Sequence, residues 1–344
     1  MDIRKLVKKQ VSALRAYDAK RVPCRIKLDA NESPYGFADA IGSSAGIRTN
    51  RYPDPEAGSL RRLIAKDLGV SPGNILFGNG SDELIYFLIT TFGGPVAIPV
   101  PTFSMYGIIS HTLGEKKIEI PLDEDFDLDM DGFLKAVRKE KPKLIFLSSP
   151  NNPTGNCFST ERILKIIEVS RGIVIVDEAY QPFSSEKGML PLLKDCRNLV
   201  IMRTLSKIGL AALRLGFMLA DHEIIREVNK VRLPFNVNSF SQAIAAAALK
   251  EKKEFRTSIK TIVTERERLL KEMQKTEGVI TFPSEANFIL FRVEDPDYIY
   301  TSLLKRGILV RNLKNHVPGC LRVTVGTPQE NTAFLKALNE IARV

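Results

Sequence analysis

The stretch that decides the fold is residues 201–216, which read IMRTLSKIGLAALRLG. A short apolar segment leads into Thr204, Ser206 and Lys207, and Arg214 follows seven residues after the lysine. Small and apolar neighbours disfavour an ammonium, so Lys207 has the surroundings that an amine nucleophile or a Schiff-base former needs. The two hydroxyls and the guanidinium are donors that suit a phosphate monoester.

This combination is typical of a site for pyridoxal phosphate, which is held by a lysine Schiff base and by donors to its phosphate. A single lysine at the end of a strand is more often an ordinary solvated side chain. The prediction of this cofactor therefore depends on the rest of the chain.

The composition is that of an ordinary soluble enzyme. The chain has 344 residues, enough for two domains, of which 44% are hydrophobic and 26% charged. No apolar run approaches the ~20 residues of a membrane helix, and the N-terminus lacks the apolar segment of a signal peptide. We therefore expect a cytoplasmic protein with no membrane association.

The net charge of +10 comes from Lys and Arg that are scattered along the chain. No nucleic-acid-binding motif accompanies them, so we expect an attraction for small anionic molecules and no nucleic-acid partner. The cysteines have no paired spacing and are expected to be reduced thiols, and the histidines are too far apart for a metal site. These residues are Cys24, Cys157, Cys196, Cys320, His111, His222 and His316.

Short apolar segments alternate with helical segments between residues 75 and 220. The apolar segments are continuous, which is typical of strands that are buried on both faces of a mainly parallel sheet. Ligands bind to such sheets beyond the carboxyl ends of the strands. Three polar clusters fall at such ends, at 151–155, 177–180 and 204–207. We therefore predict an α/β fold with its site at this edge of the sheet.

Two helix starts are indicated by capping signals. Ser59 is expected to cap a helix that ends at Gly69. The glycine-rich turn GNGSDE at 78–83 follows an apolar segment and opens a helix through Phe92. Backbone N–H groups at such a turn can bind an anion, although the same pattern also occurs as a plain helix cap.

The chain is predicted to have three parts. Residues 1–36 form an N-terminal helix, expected over 3–14, and an irregular arm. Residues 37–235 form the large α/β domain. After Phe235 the pattern changes to an alanine-rich helix over 239–250 and a long charged helix over 252–275. Strands are expected at 287–293, 308–311 and 321–325, with helices near 296–306 and 328–342, so 236–344 are predicted to form a smaller α+β domain, joined by the arm.

Eight segments resemble those of the fold-type-I pyridoxal-phosphate aminotransferases, in the same order and over nearly the whole chain. The chain is most similar to the histidinol-phosphate aminotransferases, because of the first two segments. The segments are LDANESPYG (28–36), RYPDP (51–55), GSDE (80–83), PTFSMY (101–106), SPNNPTG (149–155), VDEAY (176–180), RTLSK (203–207) and GCLRVTVG (319–326).

The resemblance implies a mainly parallel large domain that binds pyridoxal 5'-phosphate, and it implies catalytic roles for three residues. Lys207 would form the Schiff base and shuttle a proton. Asp177 would pair with the pyridine nitrogen and keep it protonated, although a strand-end carboxylate can also serve in a salt bridge. Tyr180 and Asn152 would hydrogen-bond the phenolic oxygen; the alternatives are a packed aromatic and a turn residue.

The resemblance also implies how the rest of the cofactor is held. Phe103 would stack on the ring, unless it is simply part of the core. The phosphate would be bound by the two hydroxyls that come just before the lysine in the sequence, by backbone amides and by a guanidinium. These groups belong to Ser81, Asp82, Thr204, Ser206 and Arg214.

Tyr52 resembles a residue that reaches the cofactor phosphate in the neighbouring subunit, which implies a homodimer; local packing beside Pro53 is the alternative. Arg322 matches the arginine that holds a substrate carboxylate in most aminotransferases. Histidinol phosphate has no carboxylate, so Arg322 is expected to bind its phosphate and then the carboxylate of glutamate. Arg311, Tyr17 and Asn31 of the arm would assist. The alternative for Arg311 is a solvated side chain at the end of a strand.

The resemblance implies transamination between glutamate and imidazole-acetol phosphate, with 2-oxoglutarate and histidinol phosphate as products. An aromatic-amino-acid aminotransferase is the nearest rival, and threonine-phosphate decarboxylase is disfavoured by the arm segment. A cofactor-binding regulator would need an added DNA-binding domain, and only about thirty residues precede the first shared segment. A dinucleotide-binding protein is disfavoured because no Gly-x-Gly-x-x-Gly follows an early strand.

Overall fold

The computed structural model describes residues 7–12, 22–44, 46–314 and 316–342. Within this part of the chain the strands form two sheets. The strands are β1 (Ile26–Leu28), β2 (Ile75–Asn79), β3 (Val96–Val100), β4 (Lys117–Pro121), β5 (Leu144–Ser148), β6 (Ile173–Asp177), β7 (Leu199–Thr204), β8 (Leu215–Ala220), β9 (Ile280–Thr281), β10 (Phe288–Arg292), β11 (Ile308–Asn312) and β12 (Cys320–Thr324).

Helices cover both faces of the larger sheet and one side of the smaller one. They are α1 (Lys9–Ser12), α2 (Gly58–Leu68), α3 (Ser81–Phe92), α4 (Ser104–Leu113), α5 (Met130–Glu140), α6 (Thr160–Val169), α7 (His222–Asn229), α8 (Ser239–Ala248), α9 (Lys252–Met273), α10 (Pro296–Lys305) and α11 (Pro328–Ala342).

The larger sheet has seven strands in the order β2-β8-β7-β6-β5-β3-β4. β3 to β7 are parallel, and β8 runs antiparallel to both of its neighbours. The central strands are buried on both faces, as Val174, Ile175 and Val176 show with no exposed surface. The prediction of an α/β fold with a mainly parallel sheet is therefore confirmed.

The smaller sheet has the order β1-β11-β12-β10-β9, and it includes the N-terminal arm. β1 of the arm pairs in parallel with β11, with Leu28 opposite Val310. β1 and β9 were not expected from the sequence, because segments of three and two residues are too short to show a strand periodicity. The predicted strands near residues 288, 308 and 321 are all present.

The start of α2 differs from the prediction. Ser59 lies inside the helix, and Ala57 occupies the cap position in the left-handed region with no side-chain cap. The carboxylate of Asp54 instead accepts a hydrogen bond of 2.8 Å from the N–H of Gly58, so it supplies the missing acceptor from one turn earlier. The predicted end at Gly69 is confirmed, since this residue closes the helix at φ 67°.

The N-terminal helix can be compared with its prediction only in part. Lys9–Ser12 are helical, and the remainder of the predicted helix over 3–14 is outside the described residues apart from Val7 and Lys8. No helix in the described part of the chain is long and apolar enough to span a membrane.

The interior of the described part of the chain has a core on each face of the larger sheet, a separate core beneath the smaller sheet and a small cluster around Leu290 and Cys320. Helices α8 and α9 contribute to the cores of both sheets. Ala245 and Phe255 pack in a core of the larger sheet, and Ile262 and Leu269 pack in the core beneath the smaller sheet. The domain limits themselves stay a prediction. This arrangement places the carboxyl ends of β5, β6 and β7 opposite the smaller sheet.

Candidate active site

A cavity of about 450 Å³ lies between the two sheets, at the edge where the parallel strands end. Nearly all of the predicted site residues line it, although they come from segments far apart in the sequence. These residues are Asn31, Ser81, Asp82, Phe103, Asn152, Asp177, Tyr180, Thr204, Ser206, Lys207, Arg214, Arg311 and Arg322.

Two predicted residues are not among them. Tyr52 is 81% exposed and stacks on Phe235, with 4.6 Å between the ring centroids. Its expected role at a neighbouring subunit stays a prediction. Tyr17 lies outside the described residues.

Lys207 stands in the turn that follows β7, so its side chain extends from the carboxyl edge of the sheet. Its Nζ is 3.4 Å from the backbone oxygen of Ala30 in the arm. The same atom lies 5.8 Å from the centroid of the Tyr180 ring. Lys207 therefore lies between the large sheet and the arm, with its amine at the cavity.

Asp177 is the last residue of β6, and its carboxylate forms part of the cavity wall although it is only 3% exposed. Burial raises its pKa to about 6, and the charges of Asp82 and Glu178 add to this effect. Two hydrogen bonds act in the opposite direction. The Tyr106 hydroxyl donates to Oδ2 at 2.7 Å, and the Ala179 N–H donates to Oδ1 at 3.1 Å.

Tyr180 is tied to the arm by a hydrogen bond. Nδ2 of Asn31 donates to the Tyr180 hydroxyl at 2.9 Å, which leaves the hydroxyl proton free to be donated elsewhere. Asn31 adopts a left-handed φ of 54°, and the Thr324 hydroxyl and the Asn287 amide hold its backbone at 2.9 and 3.1 Å. The arm is therefore held in one conformation where it borders the cavity.

The N-terminus of α3 and Arg214 place hydrogen-bond donors side by side in an arrangement that could hold an anion. A Cβ on Gly80 would lie 2.6 Å from the Arg214 guanidinium, and one on Gly216 would lie 2.7 Å from the Ser81 nitrogen. Only glycine therefore lets the guanidinium approach the first amides of the helix. The Arg214 guanidinium forms an ion pair with the Asp82 carboxylate at 3.1 Å.

The hydroxyls of Thr204 and Ser206 extend this group of donors, since they lie 3.0 Å apart and line the same cavity. Arg214 donates to the Ser206 hydroxyl at 3.5 Å. Backbone N–H groups, hydroxyls and a guanidinium are the donors that a phosphate group binds.

Arg322 contributes a second positive group from the smaller sheet. It is 7% exposed, donates to Oδ1 of Asn152 and, at 2.9 Å, to the backbone oxygen of Asp29. Its guanidinium lies 5.1 Å from the centroid of the Phe288 ring. Arg322 therefore links the smaller sheet to the arm and to the loop after β5.

Three residues near the cavity were missed by the sequence analysis. Lys27 lines it and pairs with Asp29 and Glu32 at 3.1 and 2.5 Å. His316 also lines it, and burial together with the charge of Arg311 lowers its pKa. Neither residue belongs to a motif, since Lys27 stands between Ile26 and Leu28 and His316 is followed by Val317.

The third missed residue is Tyr106, which lies inside one of the segments that carry the family resemblance. Its place in α4 has the spacing of a core residue, and it has no exposed surface. Only its hydrogen bond to Asp177 distinguishes it from other core residues, so the sequence offered no signal.

Comparison with known proteins agrees with this geometry. The sequence profile of the family described as Aminotransferase class I and II matches residues 19–338. The chain is 45% identical to the histidinol-phosphate aminotransferase of Aquifex aeolicus (strain VF5), over 97% of this chain and 98% of that protein. It is 42% identical to histidinol-phosphate aminotransferase 2 of Nitrosococcus oceani, over 96% of each. The chain belongs to the aminotransferase class I and II family and, within it, to the histidinol-phosphate aminotransferases.

Solved structures show the same architecture. The histidinol-phosphate aminotransferase from Clostridium acetobutylicum superposes with a TM-score of 0.86 at 25% identity, over 92% of this chain and 99% of that one. The enzyme from Sinorhizobium meliloti, solved in complex with pyridoxal-5'-phosphate, gives 0.87 at 25% identity over 98% and 97%. The prediction of a fold-type-I aminotransferase fold is confirmed.

Proposed function

We propose that the protein is a pyridoxal-phosphate-dependent aminotransferase that exchanges an amino group between histidinol phosphate and 2-oxoglutarate. The observation that carries the proposal is the cavity itself, which combines one lysine after β7, one buried carboxylate at the end of β6 and two separate positively charged regions. The histidinol-phosphate aminotransferases among its relatives support the choice of substrate.

The residues present fit pyridoxal phosphate. The site at Gly80, Gly216 and Arg214 has room and donors for a phosphate. Asp177 supplies a negative charge for a pyridinium, and Lys207 supplies the amine. When bound, the cofactor supplies an electron sink for the charge that develops at the substrate Cα.

Each residue of the cavity then has a defined task. Lys207 carries the proton between the substrate carbon and the cofactor on its Nζ. Asp177 keeps the ring nitrogen protonated, because a negative charge beside that nitrogen favours its protonated form. The Tyr180 hydroxyl, which accepts from Asn31, and Asn152 orient the phenolic oxygen, while Phe103 packs on the ring.

The second positive region is proposed to bind the substrate. Arg322 and Arg311 offer two guanidinium groups at the cavity, and Lys27 and His316 stand beside them. A phosphate dianion has more charge and more acceptor oxygens than a carboxylate, so it makes fuller use of these donors. The same arginines would hold a carboxylate of glutamate in the second half of the reaction. Tyr17 is proposed to add its hydroxyl.

We infer that the functional unit is a homodimer. Tyr52 projects from the surface with 81% of its area exposed, and Leu233, Phe235 and Phe240 nearby are 66%, 37% and 45% exposed. Such a group of exposed apolar side chains is typical of an interface. A second copy of the chain on this surface would bring Tyr52 toward the partner's cavity.

We also infer a cytoplasmic location and the three-part division at residues 36 and 235. All four cysteines are free thiols, as is usual in a reducing compartment. The two sheets with their own cores support a division of the chain into two domains.

A single assay tests the proposed reaction. The purified protein, loaded with pyridoxal phosphate, is given histidinol phosphate or phenylalanine as donor and 2-oxoglutarate as acceptor, and kcat/KM is measured for both donors. We expect histidinol phosphate to be preferred. A preference for phenylalanine would identify an aromatic-amino-acid aminotransferase, and cofactor binding with no transamination of any donor would favour a regulator.

A further inference from the structure

Tyr106 lies directly behind the cavity wall and makes no part of its lining. It belongs to α4 and has no exposed surface. Its hydroxyl donates to Oδ2 of Asp177 at 2.7 Å. Tyr106 is therefore separated from the cavity by lining residues, and its hydroxyl can act on the chemistry through Asp177.

Two aromatic neighbours fix the position of the Tyr106 hydroxyl. Its ring stacks on Phe146 of β5, with 4.9 Å between centroids and 16° between planes. Phe103 packs edge-on against it at 5.5 Å. A ring held on two sides has little rotational freedom, so the hydroxyl is directed at the carboxylate at no further entropic cost.

The charges that face Asp177 make this donor important. Asp82 and Glu178 both disfavour its ionised form, and burial disfavours it more strongly. Glu178 is itself neutralised by Arg203 at 2.7 Å. The N–H of Ala179 occupies Oδ1 at 3.1 Å, so Tyr106 supplies the only hydroxyl bound to Oδ2 among the described residues.

Tyr106 stays a donor over the whole working range of pH. Burial and the neighbouring charge of Asp177 raise its pKa well above that of a free tyrosine. Its proton is therefore always present, and a hydrogen bond to a charged acceptor favours the ionised acceptor.

We propose that Tyr106 is a positioning residue that keeps the Asp177 carboxylate ionised and oriented toward the cavity by donating to Oδ2. The inference rests on the proposed function, because it concerns the carboxylate that would hold the cofactor nitrogen. The Tyr106 hydroxyl donates to Oδ2 and the Ala179 N–H donates to Oδ1. Each carboxylate oxygen keeps a further lone pair that can accept a hydrogen bond from the cavity.

The test measures cofactor affinity as a function of pH. Tyr106→Phe removes the hydroxyl and keeps the ring, and Tyr86→Phe makes the same change on the exposed surface of α3. The dissociation constant of pyridoxal phosphate from the apoprotein is measured by its visible absorbance between about pH 5 and about pH 8. Ionisation of the cofactor's own phosphate is common to all variants and cancels in the comparison.

We expect the affinity of the wild type and of Tyr86→Phe to fall together as Asp177 becomes protonated. The same fall in Tyr106→Phe should occur about one pH unit higher, because one hydrogen bond to a buried carboxylate is lost. Equal profiles for all three proteins would overturn the role of Tyr106 and leave the proposed function intact. A wild type that does not bind the cofactor would overturn the proposed function instead.

A double-variant cycle separates charge from packing. In an Asp177→Asn background no carboxylate remains, so Tyr106→Phe should cause no further change in affinity or in its pH profile. An equal effect in both backgrounds would mean that the hydroxyl serves packing, and it would overturn the inference. If Tyr106→Phe fails to fold alone, folding of the double variant supports the inference, and failure of both overturns it.

Discussion

Arg311 and Arg322 lie directly opposite each other in the antiparallel pair of β11 and β12, and both side chains line the cavity. Two like charges at paired positions of adjacent strands repel each other. An anion bound between them would remove that repulsion, which supports the proposed role of the pair in substrate binding. Only Arg322 is deeply buried, which leaves Arg311 as the group that is freer to follow the substrate.

Arg311→Ala is expected to weaken the use of histidinol phosphate far more than that of phenylalanine. A phosphate uses both guanidinium groups, whereas an aromatic amino acid needs one for its carboxylate. The loss of donors to a buried phosphate costs roughly 1–3 kcal/mol, or about ten- to a hundredfold in kcat/KM. The measurement is kcat/KM for both donors, with Arg256→Ala on the exposed face of α9 as the control. Equal losses for the two donors would show that Arg311 does not distinguish them.

Borohydride reduction of the yellow holoprotein should attach the cofactor to Lys207 and to no other lysine. Lys27 is the internal control, since it also lines the cavity but is neutralised by Asp29 and Glu32. Peptide mapping by mass spectrometry gives the modified position. A label on Lys27, or none at all, would reject the assignment of Lys207.

Asp177→Asn is expected to lose nearly all turnover and yet to stabilise the apoprotein at neutral pH. The folded-state pKa of Asp177 is about 6, above the 3.8 of a free side chain. The folded protein therefore binds more protons than the unfolded chain between these values. The wild type loses stability as the pH rises from about 4 to about 6, by roughly 3 kcal/mol.

An asparagine side chain does not titrate. The free energy of unfolding of Asp177→Asn should therefore exceed that of the wild type by an amount that grows from about pH 4 to about pH 6 and stays constant above about pH 6. Denaturant unfolding of both apoproteins at about pH 5 and about pH 8 measures the difference. Normal turnover in this variant would remove Asp177 from the mechanism. A stability difference that does not change with pH would show that its carboxylate titrates as in the unfolded chain.

Hybrid dimers test whether Tyr52 acts across the subunit boundary. Lys207→Ala and Tyr52→Ala are each expected to be inactive or nearly so. When the two chains are mixed through unfolding and refolding, a Tyr52 that serves the partner gives each hybrid one complete site, and activity returns. If Tyr52 serves its own cavity, both sites of the hybrid are incomplete and the mixture stays inactive.

The pair of Glu178 and Arg203 should matter for stability. Glu178 is 1% exposed and accepts from Nε and a terminal nitrogen of Arg203 at 2.9 and 2.7 Å. Arg203→Met would leave a buried carboxylate with only the Met189 N–H for support. We expect a loss of roughly 3–5 kcal/mol in the free energy of unfolding.

Denaturant titration measures this loss, with Lys165→Met as the matched control at the exposed pair with Glu168. Exposed pairs contribute only about 0–1 kcal/mol. Similar losses for the two variants would mean that burial adds nothing to the pair of Glu178 and Arg203.

The succession of strands and helices along the chain of the large domain was predictable from the sequence because its signals are local. The buried run before Asp177 and the one before Lys207 are continuous and apolar, and strands of this kind end at a polar residue on the carboxyl edge. The start of α2 was not predictable in the same way. Ser59 has the right side chain for a cap, but the carboxylate of Asp54 already satisfies the helix.

The candidate site likewise combines residues that the sequence indicated with contacts that only the fold decided. The residue types around Lys207 and Arg214 marked them as partners of a phosphate and a Schiff base, and the family resemblance implied the role of Asp177. Whether they meet was decided by strand order, which places β6 beside β7 and the end of β2 beside β8. Hydrogen bonds between strands distant in sequence leave no local pattern that a reader of the chain could use.

The sequence by itself determined the chemical groups, the fold class and the family, because these depend on residue type and on spacing along the chain. Only the tertiary structure decided that the arm adds a strand to the smaller sheet, that Arg311 faces Arg322, and that the Tyr106 hydroxyl reaches Asp177. The physical reason is that β1 and β11, and likewise Tyr106 and Asp177, lie far apart in sequence, while the facing of Arg311 and Arg322 depends on the register of two strands. The energy of each contact depends on burial and geometry that exist only once the sheets and their helices have formed.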